Sequence, residues 1–178
     1  MLLPEDQGDK YALVHHYSEV GEYAVGEYLI GEYNNLESGF YFIDKNGDES
    51  MKGKSFPIAL PFNESIGFAK VKQNESDNFY SLLDTLGNVY PLATKLEHLK
   101  DTITALDLSN NGIVELPSSL YQNIHLKILL LCDNKITTLN SDIKAMSNLI
   151  LLNLKGNIIS REEQEAIKKL LPNCEIQF

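Results

Sequence analysis

The side chains best suited to chemistry are four histidines, two cysteines and the acidic run Asp44-x-Asn46-x-Asp48. That run imitates the start of a calcium loop. Its sixth position, where the sharp turn needs glycine, is Glu49, and its twelfth, where a bidentate carboxylate belongs, is Ser55, so the oxygen cage fails and a hairpin turn is expected instead. His15 and His16 are neighbours, and adjacent strand residues point to opposite faces. His98 and His125 stand singly. Cys132 and Cys174 have no histidine at metal-ligand spacing and read as free thiols of a reducing, cytoplasmic compartment. Glu162, Glu163 and Glu165 crowd one helix start, which capping explains. The sequence assembles no nucleophile, base and orienting acid, and no glycine-rich phosphate loop opening a helix. It therefore reads as a non-enzyme, with no catalytic residues, no metal and no cofactor. Asn63-Glu-Ser65 and Asn74-Glu-Ser76 match the glycosylation sequon, which has weight only in an exported chain.

What must position any functional side chain is a repeat. Asn111, Asn134 and Asn157 recur every 23 residues inside one apolar frame. It reads Ile103-x-x-Leu106-x-Leu108-x-x-Asn111-x-Ile113, then Leu126-x-x-Leu129-x-Leu131-x-x-Asn134-x-Ile136, then Leu149-x-x-Leu152-x-Leu154-x-x-Asn157-x-Ile159. Self-similarity at this period marks a solenoid. Each Leu-x-Leu pair suits a short strand with alternate side chains inward. The asparagine follows where the chain leaves the strand, and its amide can satisfy backbone groups stranded by the turn. Leu116, Leu120, Leu139 and Ile143 should fill the core from the convex side.

This pattern resembles the leucine-rich repeat family, over about 75 residues from Thr94 onward. The resemblance implies parallel strands, short convex helices and a binding surface on the concave face. After Ile159 the frame gives way to Ser160-Arg-Glu-Glu163, a capping box, then a helix with Lys168 and Lys169 in its last turn and Pro172 as its stop. Ala166, Ile167, Leu170 and Leu171 form its expected apolar face. Cys174-Glu-Ile176-Gln-Phe178 alternates like a closing strand, and the chain is expected to be complete there. Thr94-Lys-Leu-Glu97 is a second capping-box candidate. Stepping the frame back 23 residues makes Tyr80 to Thr85 the strand expected beside the first repeat.

Residues flanking the inward leucines fall into three columns expected to face solvent. They are Ala105, Ile128, Leu151 and Glu175; Asp107, Leu130, Asn153 and Gln177; and Ser109, Cys132 and Lys155. Ile128, Leu130 and Leu151 would make an exposed apolar patch, the usual sign of an interface. The expected partner-binding set is Asp107, Ile128, Leu130, Leu151, Asn153 and Lys155, engaging a protein or a second copy of this chain through the concave face.

The first half differs. Residues 1–93 hold 15 acids and 6 bases (net −9), and residues 94–178 hold 10 acids and 9 bases (net −1), which together give the formal charge of −10. Without a basic stripe, nucleic acid is not an expected ligand. Membrane is not expected either: no apolar run nears a bilayer-spanning length, and the N-terminus lacks a secretory pattern. Phe42-Ile-Asp44-Lys-Asn-Gly47-Asp48 aligns with Leu82-Leu-Asp84-Thr-Leu-Gly87-Asn88 at an offset of 40. These units resemble bacterial WG repeats across about residues 25–93; Gly39-Phe40-Tyr41 and Asn78-Phe79-Tyr80 stand where that family has its Trp-Gly pair. Before them, Val-Gly-Glu-Tyr echoes place Tyr23, Tyr28 and Tyr33 in a row, whose alternative role would be to bind a small ligand or glycan. The expected architecture is α+β: an antiparallel β domain at 1–93, of two units of about 40 residues, capping a short repeat solenoid at 94–178. Each half is expected to depend on the other for folding.

Overall fold

The computed structural model describes residues 13–17, 24–30, 37–43, 49–51, 53–63 and 66–178. The chain divides into two compact units, Met1–Val89 and Tyr90–Phe178.

In the first unit, β1 (Leu13–Tyr17), β2 (Ala24–Ile30), β3 (Glu37–Ile43) and β4 (Glu49–Ser50) form an antiparallel meander in that order. The β1–β2 register slips between Val14 and His16. A second antiparallel set follows: β5 (Ile58–Ala59), β6 (Ala69–Lys72) and β7 (Ser81–Leu83). Phe40 and Phe56 exchange backbone hydrogen bonds of 2.7 and 2.8 Å. Beside them Phe42 meets Phe56 and Phe62 edge-on, with centroids 6.3 and 5.4 Å apart, geometry that suits the ring quadrupoles. Ala59, Ala69, Val71 and Leu83 complete this core. After β7, the Asp84 carboxylate accepts from the amides of Leu86 and Asn88 and from the Asn88 side chain. That pins the Gly87-Asn88 turn, with Gly87 at φ 83°.

The second unit is a parallel stack. β8 (Val89–Ala93), β9 (Ala105–Asp107), β10 (Ile128–Leu130), β11 (Leu151–Asn153) and β12 (Glu175–Gln177) pair in sequence order. Ala105, Ile128, Leu151 and Glu175 stand in register, as do Asp107, Leu130, Asn153 and Gln177. The strand beside the first repeat is β8, through Leu92↔Ala105 and Ala93↔Leu106, and not Tyr80 to Thr85. The connection from β8 to β9 is too short for a full repeat, so the step of 23 fails there. Its convex leg is one 3-10 turn, Leu96–His98, whose cap position is Lys95 with no side-chain cap bond; the capping box expected from Thr94 does not form.

The convex legs of the next two repeats are also 3-10 turns, Ser118–Gln122 and Ser141–Ala145. Each is five residues long, and 3-10 turns occur in such short pieces. Only the last leg is an α-helix, α1 (Arg161–Leu170), with Ser160 accepting from the Glu163 amide. The reciprocal half of the capping box is missing. The Glu163 carboxylate instead accepts from the Thr138 hydroxyl at 2.7 Å and the Leu139 amide at 3.2 Å, tying the third repeat to the second. Ile167 and Leu171 are buried and Leu170 partly so, while Ala166 is exposed and leaves the expected apolar face. The core is the predicted one: Leu106, Leu129 and Leu152 from the strands, Leu116, Leu120, Leu139 and Ile143 from the convex side.

β9, β10 and β11 each exit through a left-handed residue: Asn110 at φ 60°, Asp133 at φ 53° and Gly156 at φ 73°. Asn and Asp tolerate this region and glycine enters it freely. A Cβ on Gly156 would also overlap the Asp133 carboxylate and crowd its backbone, whereas one on Gly112 (φ 66°) would meet open space. Gly156→Ala is expected to lower stability by about 2 kcal/mol or more, and Gly112→Ala by about 1 kcal/mol. Urea midpoints of the two variants check the order.

Candidate functional site

The exit turns are built by the asparagines. Asn134 donates to Leu108 O at 3.0 Å and to Leu131 O at 2.9 Å, one repeat back and its own. Its side-chain oxygen accepts from the amides of Asn111 at 3.1 Å and Ile113 at 3.0 Å. Asn157 repeats the motif: it donates to Leu131 O at 2.8 Å and Leu154 O at 2.9 Å and accepts from the Ile136 amide at 3.0 Å. Asn111 has no repeat of this kind before it; it is exposed and donates to Ser109 O at 3.1 Å. Backbone bonds run alongside, from Asn110 N to Cys132 O at 2.9 Å and from Asp133 N to Lys155 O at 2.8 Å.

The residues expected to form an exposed concave patch are not exposed. Ile128 is 0% accessible, Leu130 1%, Leu151 5% and Asn153 0%, with Ala105 beside them at 0%. They lie on the strand face opposite Leu106, Leu129 and Leu152 and outside that interior cluster, so these strands are buried on both faces. The unbroken apolar run Ile128 to Leu131 is the signal that carried this, since strands covered on both faces lose the alternation of half-buried ones. Asn153 lies in this dry layer with both amide ends satisfied, by Gln177 Oε1 at 2.9 Å and the Lys155 amide at 3.1 Å. Of the expected set, Asp107 is half-buried and accepts from the Ser109 amide at 3.1 Å, and Lys155 is exposed.

What remains open to solvent is the strip of exit residues: Asn110, Asn111, Asp133, Lys155 and Gly156 are exposed, and Ser109 and Cys132 partly so. Ser109 Oγ accepts from the Cys132 amide at 3.1 Å. Burial pushes the Cys132 thiol up in pKa, with Asp133 and Asp107 adding to the effect and the Ser109 hydroxyl opposing it. The Cys174 thiol is pushed up to about 11, first by burial and then by Glu175. Such thiols carry little thiolate at neutral pH. Both should alkylate more slowly than a free cysteine at pH 8, with rates still climbing above pH 9, as timed iodoacetamide labelling and mass spectrometry would show.

His98 lies 3.8 Å from Glu97, and His125 lies 3.9 Å from Asp101. Among the described residues no three His, Cys, Asp or Glu side chains gather as a metal site. The Asp44–Asp48 run, Tyr23 and Tyr33 lie outside the described residues, and Tyr28 is described only as part of β2. No helix among the described residues is long and apolar enough to cross a membrane.

A leucine-rich repeat family model matches residues 102–123, the first frame with its convex leg. The C-terminal unit is a leucine-rich repeat array. A solved leucine-rich repeat protein of Leptospira interrogans is 44% identical over 44% of this chain and 20% of its own, with a TM-score of 0.43. This chain thus spans about a fifth of that protein's length. Comparison with curated proteins gives no match. None of these findings supports the WG-repeat resemblance of residues 25–93.

Within the leucine-rich repeats the ladder and the buried layer make separate demands. Asn134→Ala strands two carbonyls and two amides in a site 5% accessible and is expected to cost about 3 kcal/mol, against less than about 1 kcal/mol for Asn111→Ala. Ile128→Asp, which an exposed face would tolerate, should cost about 3–5 kcal/mol or prevent folding by burying an unpaired charge. Thermal melts of the three variants separate these cases.

Proposed function

We propose that this chain is a non-catalytic protein-interaction module, and that its leucine-rich repeats engage a protein partner along the strip of strand-exit residues. Leucine-rich repeats in general mediate protein–protein contact, and a solenoid's function usually sits on a surface repeated along its length. The observation that carries the reading is the asparagine ladder. It holds Ser109, Asp133 and Lys155 on adjacent turns whose backbone is already fixed by hydrogen bonds from repeat to repeat. A surface ordered before binding loses little entropy on association.

The strip is polar and carries both signs of charge, with Asp107 on the first repeat, Asp133 on the second and Lys155 on the third. The partner's contact is therefore a polar segment of matching charge, not an apolar plug. Ile128, Leu130, Leu151 and Asn153 act beneath it as support. The acidic balance of residues 1–93 argues against nucleic acid, and two free cysteines suit a cytoplasmic setting.

The test compares the full chain with a variant carrying Asp133→Asn and Lys155→Glu. Asparagine already occupies the left-handed position in the first repeat as Asn110, so the fold should persist with a melting temperature within about 2 °C of the parent. Immobilised parent protein should retain a partner from native extract that the variant loses, read by quantitative mass spectrometry. Identical retained sets would remove the strip as the binding surface.

A further inference from the structure

β12 is the last strand of the parallel stack, and among the described residues no strand pairs with its outer edge. The Glu175 amide donates to Ile150 O at 2.9 Å, and Gln177 O accepts from the Leu154 amide at 2.7 Å. Those groups face β11. Parallel pairing uses the amide and carbonyl of alternate residues, so the amide and carbonyl of Ile176 face outward. The core is also thin at this end. Cys174, Ile176, Phe178 and Leu170 are only partly buried against it, where Leu152 and Leu129 are at 0%. An unpaired edge beside half-covered apolar side chains is a template for another strand.

We propose that this edge is an interface for a second copy of the chain, joined through β12 in antiparallel register about a two-fold axis centred on Ile176. A two-fold contact must be self-complementary, and this edge is. Ile176 would exchange both backbone hydrogen bonds with Ile176 of the other copy. Glu175 then faces the other copy's Gln177, and Gln177 faces Glu175. The chain already shows that these two side chains suit each other: Gln177 Nε2 donates to Glu175 Oε1 at 2.6 Å within one molecule. The pairing places carboxylate against amide at both positions and sets no like charges opposite one another, which would oppose association. Cys174 lies opposite Phe178, extending apolar cover over the end of the core.

Sedimentation velocity of the full chain over a concentration series tests this. The parent should show a reversible monomer–dimer equilibrium. Gln177→Glu keeps an acceptor for the Asn153 amide but sets carboxylates face to face at both positions, and should weaken association about tenfold. Adding Glu175→Lys to it restores opposite charges and should return the dimer to parent strength or better, with circular dichroism melts confirming that all three fold. A parent that stays monomeric throughout, a dimer indifferent to Gln177→Glu, or a failure of the second change to rescue would each overturn the proposal.

Discussion

The second unit depends on one buried amide group used twice over. Asn134 sits where the chain leaves β10, and its side chain reaches carbonyls and amides that no strand can pair. A buried backbone group without a partner costs about as much as the hydrogen bond it lacks. One side chain therefore removes several such penalties and links two repeats while doing so. The strands are three residues each, too short to fix a stack by their own ladder. The asparagines, with the backbone bonds that flank them, extend the paired region through the turn and make successive repeats one body.

The leucines impose a second constraint. The interior cluster and the opposite layer of Ala105, Ile128, Leu130, Leu151 and Asn153 are both dry. What stays open to solvent is therefore not the middle of the strands but their exits, where the left-handed turns at Asn110, Asp133 and Gly156 bring the chain to the surface. The same economy appears at the end of the array. Glu163 gives up half of its own helix cap to bind Thr138 and Leu139, and the cohesion of the stack is favoured over the local motif.

Much of this was legible in the sequence. The 23-residue step placed the strands, their register and the inward leucines, because a repeat multiplies one weak local signal by three copies in phase. The asparagine position was legible for the same reason. The side facing away from the core was not: alternation around Leu129 says only that Ile128 and Leu130 point the other way, and local pattern alone does not say whether that side is wet. The uninterrupted Ile128–Leu131 run was the available warning. The partner of β9 was missed because β8 connects through a single 3-10 turn and so breaks the period. The convex legs were expected as short helices, and only the last, which follows the Ser160 cap, is an α-helix; the others are single 3-10 turns.

Native-state hydrogen exchange of the full chain, resolved by residue, tests the ladder most directly. The amides of Ile113 and Ile136 lie in turns, outside any strand, yet each donates to an asparagine side chain. The account predicts that they exchange as slowly as the amides of Leu129 and Leu152 in the buried strands, opening only when the array unfolds as a whole. If those two turn amides exchange at the rate of surface loops while the strands stay protected, the asparagines do not hold the repeats together and the account fails.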